Sequence, residues 1–298
     1  MTANRLVLTI IGWGIASAAC VGNAACPATQ PDISKVVVSG GSLTEIIYAL
    51  GAESSIVAVD RTSNYPAAAR ALPQIGYVRA LSAEGVLSAQ PTLVLGEDDT
   101  GPPEVVTQLE KAGVPIAIVE EAHDAAGIVE KVRCVGQVMG LQDLAEAYIA
   151  EALMPAVAAL ESTASSSEPI TGVVLLGVRD GLLIAAGADT SGDGLLQMMA
   201  AENALAAVNG WKPVSVESML AADPEFLVIP QRGLDAAGGV DGLVDHPTLK
   251  FTRAAREGRI YAMDGMAMLG FGPRTLDAAA RLSQEVRKPS TSDADNER

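Results

Sequence analysis

Aromatic side chains are scarce: the chain has two Trp, five Tyr and three Phe among 298 residues. Each Tyr or Trp near a cleft edge therefore carries weight. Histidine is rarer still. His123 and His246 stand alone, neither within an HExxH pattern, and two imidazoles are too few for a zinc or manganese receptor. Both fall in loop or helix-start contexts that suit a surface position. The three cysteines, Cys20, Cys26 and Cys134, form no CxxC motif. No disulfide framework is expected, and Cys134, on a helical pattern, reads as a buried lone thiol. Positive charge is also in short supply. Twenty Lys and Arg face 36 Asp and Glu, for a net charge of −16. Phosphate backbones would be repelled, which excludes nucleic acid as a partner. A G-x-S-x-G elbow, a P-loop lysine and a full G-x-G-x-x-G pattern are all missing, which removes the commonest hydrolase and nucleotide sites.

Long apolar runs are missing too, with one exception. Leu6–Ala19 is an apolar stretch of 14 residues behind Arg5, short of the roughly 20 residues a membrane span needs. Small residues follow it, so residues 1–25 read as a secretion signal. Cleavage after Ala18 or Ala24 would release a soluble protein. Cys20, preceded by Ser17-Ala18-Ala19, leaves a lipid anchor open as the alternative. At the other end, residues 289–298 are polar and are expected to be disordered.

What remains is rich in apolar residues, 49% against 19% charged, enough for two cores of ordinary size. The chain also nearly repeats itself. Leu81–Leu95 (LSAEGVLSAQPTLVL) and Val214–Val228 (VSVESMLAADPEFLV) share Ser82/Ser215, Glu84/Glu217, Leu87/Leu220, Ala89/Ala222 and Pro91/Pro224 at an offset of 133 positions. Each copy predicts a short Ser-capped helix, a Pro-containing turn and a buried strand. Strand-like and helical patterns alternate on both sides of Leu141–Thr163, the longest helical pattern, in which Pro155 predicts a kink. The expected fold is α/β: two Rossmann-like lobes with parallel-rich sheets joined by one long helix. The boundaries fall at 33–139 for the first lobe, 140–165 for the connecting helix and 169–288 for the second lobe. One continuous doubly wound sheet is the alternative. Two lobes joined by a helix predict a cleft that rocks slightly and does not close like a trap.

The sharpest local signal is Gly76-Tyr77-Val78-Arg79, directly before the first repeat copy. Loops leaving the carboxyl ends of parallel strands line the ligand crevice, and this segment should reach it. Tyr77 there could be a stacking platform, a hydrogen-bond donor, a metal ligand or a partly buried anchor. Arg79 suits stabilisation of a phenolate or a forked grip on a carboxylate. Gly40-Gly41-Ser42, between strand and helix, is read mainly as a tight turn.

Three segments together, GGSLTEIIYALG (Gly40–Gly51), LPQIGYVR (Leu72–Arg79) and MAMLGFG (Met266–Gly272), make the chain resemble the haem-binding proteins of bacterial haem ABC importers. These belong to the helical-backbone class of substrate-binding proteins, with cobalamin and siderophore binders. The likeness runs from about Val36 to Arg287. It implies a periplasmic protein without enzymatic activity, expected as a monomer, that carries haem b to an ABC transporter permease. It implies Tyr77 as axial ligand to haem iron, with Arg79 and Arg274 near the propionates. Met266 and Met268 either approach the opposite haem face or form an apolar cleft wall. Some relatives carry a second-lobe His where this chain reads Leu176-Gly177-Val178-Arg179, which favours one haem over two. The resemblance also implies that Glu84 and Glu217 dock onto arginines of the permease. A siderophore or cobalamin binder is the alternative, and a secreted α/β enzyme the reading from a different class.

Overall fold

The computed structural model describes Cys26 and residues 31–179 and 181–288. The expected signal peptide and the polar tail lie outside the described residues.

In the first half, β1 (Val36–Ser39) leads through Gly40 into α1 (Gly41–Ala49) and then β2 (Ile56–Val59). A two-stranded ribbon follows, β3 (Gly76–Tyr77) and β4 (Ala80–Leu81), then α2 (Ala83–Ser88), β5 (Leu93–Glu97), α3 (Pro103–Lys111), β6 (Ile116–Val119) and α4 (Ala125–Val138). The sheet runs in the order β2-β1-β5-β6, and all three pairings are parallel. Continuous apolar runs such as VVV in β1 and LVL in β5 suit strands covered on both faces.

The connecting helix is α5 (Gln142–Tyr148) and α6 (Met154–Ser166), joined through a π-helical turn over Ile149–Leu153. Pro155 accounts for the break: it has no N–H to give the carbonyl four residues back, and the ladder slips to i→i−5 with Met154 N–H donating to Ile149 O. The kink expected at Pro155 therefore takes the form of a π-bulge.

The second half contains β7 (Ile170–Arg179), β8 (Leu182–Ala186), α7 (Ser191–Met198), β9 (Ala201–Asn203), β10 (Trp211–Pro213), α8 (Val216–Ala222), β11 (Phe226–Pro230), α9 (Gln231–Ala236), α10 (Gly239–Val244), α11 (Arg253–Arg256), β12 (Ile260–Met263), α12 (Gly265–Leu269) and α13 (Pro273–Glu285). Its sheet is β10-β8-β7-β11-β12, with β9 also on β7. β9, β11 and β12 join in parallel, while β8 and β10 are antiparallel. The first sheet is thus wholly parallel and the second mixed, two sheets rather than one continuous one.

One hydrophobic cluster runs through the molecule. It joins Val36, Leu95 and Val135 of the first half to Leu153 and Leu160 of the connecting helix, and on to Val174, Phe226 and Phe271 of the second half. The two halves thus share one packed core.

One expectation is corrected. Cys134 is not a lone thiol: it forms a disulfide with Cys26 that ties the start of the described chain to α4 across 108 residues. The partner comes from a distant segment with no spacing motif, so local pattern could not reveal it. His123, just before α4 with its side chain 37% exposed, keeps the surface position expected of it. Its ring packs at 4.8 Å on Phe271 of the second half, with Nε2 3.6 Å from Glu121.

Candidate functional site

The carboxyl ends of the first sheet converge on one corner, and backbone hydrogen bonds fix its geometry. Gly76 and Tyr77 pair with Leu81 and Ala80 across a two-residue turn, Val78-Arg79. Gly76 sits at φ +115°, and a Cβ there would come within 2.7 Å of Ala80 O, so the ribbon requires glycine at this point. Arg61 N–H donates to Gly76 O (2.7 Å), which attaches the ribbon to the loop after β2. The loop after β5 is stitched to its other side, with Leu81 N–H donating to Gly101 O (2.8 Å) and Gly101 N–H to Val78 O (2.9 Å).

This stitching sets three side chains in a row. Arg79 Nη1 donates to Tyr77 Oη at 3.0 Å, and Arg79 Nη2 meets Asp99 Oδ2 at 2.7 Å. Tyr77 is 38% exposed, enough to present its oxygen to a ligand. Burial pushes the Asp99 carboxyl up, with Arg79 pulling against it. Asp60, fully buried, braces the neighbouring loop by accepting from Gly40 N–H (3.1 Å), Thr62 N–H (2.9 Å) and the Ser63 hydroxyl (3.0 Å).

Beneath this corner lies a buried ionic cluster. Lys131 on α4 has no exposed side-chain surface. Its Nζ donates to Glu97 Oε1 (3.1 Å), Glu121 Oε1 (2.8 Å) and Ser42 Oγ (3.1 Å). Ser42 also donates to Glu97. Burial, partly offset by Lys131, pushes Glu97 up to about 7. Burial also acts on Glu121, but His123 and Lys131 outweigh it and hold that carboxyl below its usual range.

Arg274, at the start of α13, stands elsewhere. Its Nε and Nη2 reach Glu45 Oε1 at 2.9 and 2.5 Å, and its Nη1 reaches Asp264 Oδ1 at 3.1 Å. The guanidinium lies 4.0 Å above the Tyr65 ring. It borders a cavity of about 380 Å³ lined also by Glu45, Tyr48, Tyr65, Tyr148 and Asp277, to which neither Tyr77 nor Arg79 contributes. Three of the five tyrosines thus gather away from the Tyr77 corner. Met266 is half-buried, and a Cβ at Gly41 would lie 2.7 Å from its methyl carbon. Met268 has no exposed surface and belongs to the core cluster. In this structure Met268 is a packing residue.

Glu84 and Glu217 are exposed in the first turns of α2 and α8. The caps are equivalent, Ser82 accepting from Gly85 N–H and Ser215 from Ser218 N–H, both at 3.1 Å. The segments before the two copies differ: the β3–β4 ribbon precedes one, and the edge strand β10 precedes the other.

Sequence reasoning singled out Tyr77 and Arg79 but missed Asp99, Glu97 and Lys131. The available signal was a charged residue inside the apolar periodicity of α4 (IVEKVRCV), together with acidic residues directly following the LVLG strand. Among the described residues, no group of three or more His, Cys, Asp or Glu could hold a bare metal ion. Among them too, no helix is long and apolar enough to cross a membrane.

The chain is similar to several known proteins. The apo form of the periplasmic haem-binding protein RhuT from Roseiflexus sp. RS-1 superposes with a TM-score of 0.80 at 37% identity, covering 85% of this chain and 97% of that one. The ABC transporter substrate-binding lipoprotein YvrC of Bacillus subtilis (strain 168), itself uncharacterized, is 22% identical over 259 residues, 85% of this chain and 79% of that protein. A cobalamin-binding protein of Halobacterium salinarum is 25% identical over 275 residues, 86% of this chain and 73% of the relative. The family model described as periplasmic binding protein matches residues 36–267. With that match spanning two parallel-rich sheets on a helical spine, the chain belongs to the periplasmic binding protein family.

Proposed function

We propose that the protein binds haem and hands it to an ABC importer, without chemistry of its own. The observation that carries this reading is the Tyr77–Arg79 hydrogen bond, 3.0 Å long, on a ribbon at the carboxyl ends of a parallel sheet. A phenolate is a hard oxygen donor matched to ferric iron, and a guanidinium on the same oxygen stabilises its negative charge. The 37% identity to a haem-binding protein over most of both chains supports the same cargo. Haem b is the form proposed, bound as one molecule with Tyr77 as the protein's iron ligand and Met266 as apolar wall.

Arg274 would have to leave Glu45 or Asp264 to meet a propionate. Glu84 and Glu217, exposed at equivalent positions on the two lobes, are proposed to dock on cations of a transporter permease. A monomer exported to the periplasm, or held at the membrane through Cys20, fits this role.

The test is a UV–visible titration with ferric haem. A saturating Soret band with a tyrosinate–iron(III) charge-transfer band is expected, and Tyr77→Ala should remove most of both while far-UV circular dichroism stays unchanged. Full-strength, spectrally identical binding by Tyr77→Ala would overturn the ligand assignment. The cobalamin-binding relative supports a second reading. Saturable binding of cyanocobalamin with no response to haem would establish it.

A further inference from the structure

Both terminal nitrogens of the Arg79 guanidinium are engaged within the protein. One end of the guanidinium fork holds the Tyr77 hydroxyl at 3.0 Å and the other holds Asp99 at 2.7 Å. We propose that Asp99 is a positioning residue that keeps Arg79 on the Tyr77 oxygen, so that Arg79 acts on the iron ligand and does not grip the carboxylates of the cargo. The inference rests on the haem reading above.

Three observations carry it. The first is mobility. The Arg79 side chain is 63% exposed, and a long cationic side chain at such a position keeps many rotamers unless a second contact fixes it. Asp99 is that contact, and it sits at the opposite end of the fork from the phenol. The second is rigidity. Asp99 is placed by the loop after β5, whose backbone is stitched to the same ribbon through Leu81, Val78 and Gly101. Ligand, guanidinium and carboxylate therefore ride on one unit, and motion of the cleft would not separate them.

The third is charge. Asp99 offsets the Arg79 cation, and the carboxylates of Asp60 and Glu121 act on the same spot. A guanidinium already paired with Asp99 attracts a propionate less strongly than an unpaired one would. Asp99 Oδ1 is buried and has no hydrogen-bond partner, so the Oδ2 contact to Arg79 is the ion pair that accounts for the carboxylate's position.

The test pairs two cargoes with four proteins: haem and haem dimethyl ester, against wild type, Asp99→Ala, Asp99→Glu and Arg79→Ala. Asp99→Ala should move the tyrosinate–iron charge-transfer band and weaken both cargoes by a similar factor, about three- to tenfold. Asp99→Glu should restore the band. Arg79→Ala should also weaken haem and its ester equally, because the ester has no carboxylate to lose. An unmoved band in Asp99→Ala that still folds by circular dichroism would overturn the proposal. So would a variant that weakens haem but spares the ester, since that pattern marks a propionate clamp. Absence of any Soret response in the wild type would overturn the haem reading and this inference together, whereas haem binding with an unmoved band in Asp99→Ala overturns the inference alone.

Discussion

Arg274 and Glu45, 229 residues apart, are joined by two donors on one oxygen, with Nε and Nη2 of the arginine both reaching Glu45 Oε1. This contact fastens α13 to α1, and Asp264 takes the remaining side of the guanidinium.

Arg274→Ala should therefore act first on stability. Glu45 is almost fully buried, and burial already pushes its carboxyl up against the pull of Arg274. A group with a raised folded pKa contributes most at low pH and loses that contribution as pH rises. Removing Arg274 should destabilise by about 2 kcal/mol near neutral pH and by less in acid. Urea denaturation at two pH values checks this, and Glu45→Gln in the Arg274→Ala background should recover part of the loss.

The Cys26–Cys134 disulfide closes a long loop, and its removal should cost about 3 kcal/mol. Reductant should lower the urea midpoint of the wild type and leave that of Cys26→Ser unchanged. Equal sensitivity of both proteins would show that the bond does not form in solution.

Lys131→Met should destabilise by about 3 kcal/mol, because two carboxylates then lose their buried partner. The pH course separates those carboxylates. Glu97 is raised from 4.5 to about 7, so its contribution is full below 4.5 and falls as pH rises through 7. Glu121 is lowered, so its contribution is present above 4.5 and lost as pH falls below it. Glu97→Gln should flatten the fall in stability between about pH 5 and 7. Denaturation midpoints across that range are the measurement.

Glu84→Ala combined with Glu217→Ala should leave haem affinity unchanged and weaken binding to the permease by about tenfold or more. Each single variant should have roughly half the effect in free energy, since the two helices are capped alike. The interaction should also weaken with added salt. Undiminished transporter binding by the double variant would remove the docking role.

The alternation of strands and helices, the parallel first sheet and the long connecting helix were all legible in the chain. These are local properties: apolar periodicity, Gly and Pro punctuation, and a repeat visible on inspection. The helix of each repeat copy starts at its serine, Ser82 or Ser215, because the cap is encoded within three residues. The short strands β3, β4, β9 and β10 were not legible. Two or three residues carry no period, and their pairing depends on neighbours from elsewhere.

The same division holds for the site. Tyr77 and Arg79 stood out because they are two residues apart on one short segment. Their arrangement with Asp99 did not, nor did the burial of Lys131 between Glu97 and Glu121, the Cys26–Cys134 bond or the Arg274–Glu45 contact. By itself the sequence determined which elements form and which residues are unusual for their surroundings. Only the tertiary structure decided which charge meets which, because the loops that carry them are brought together by sheet order and a shared core, and local pattern records neither.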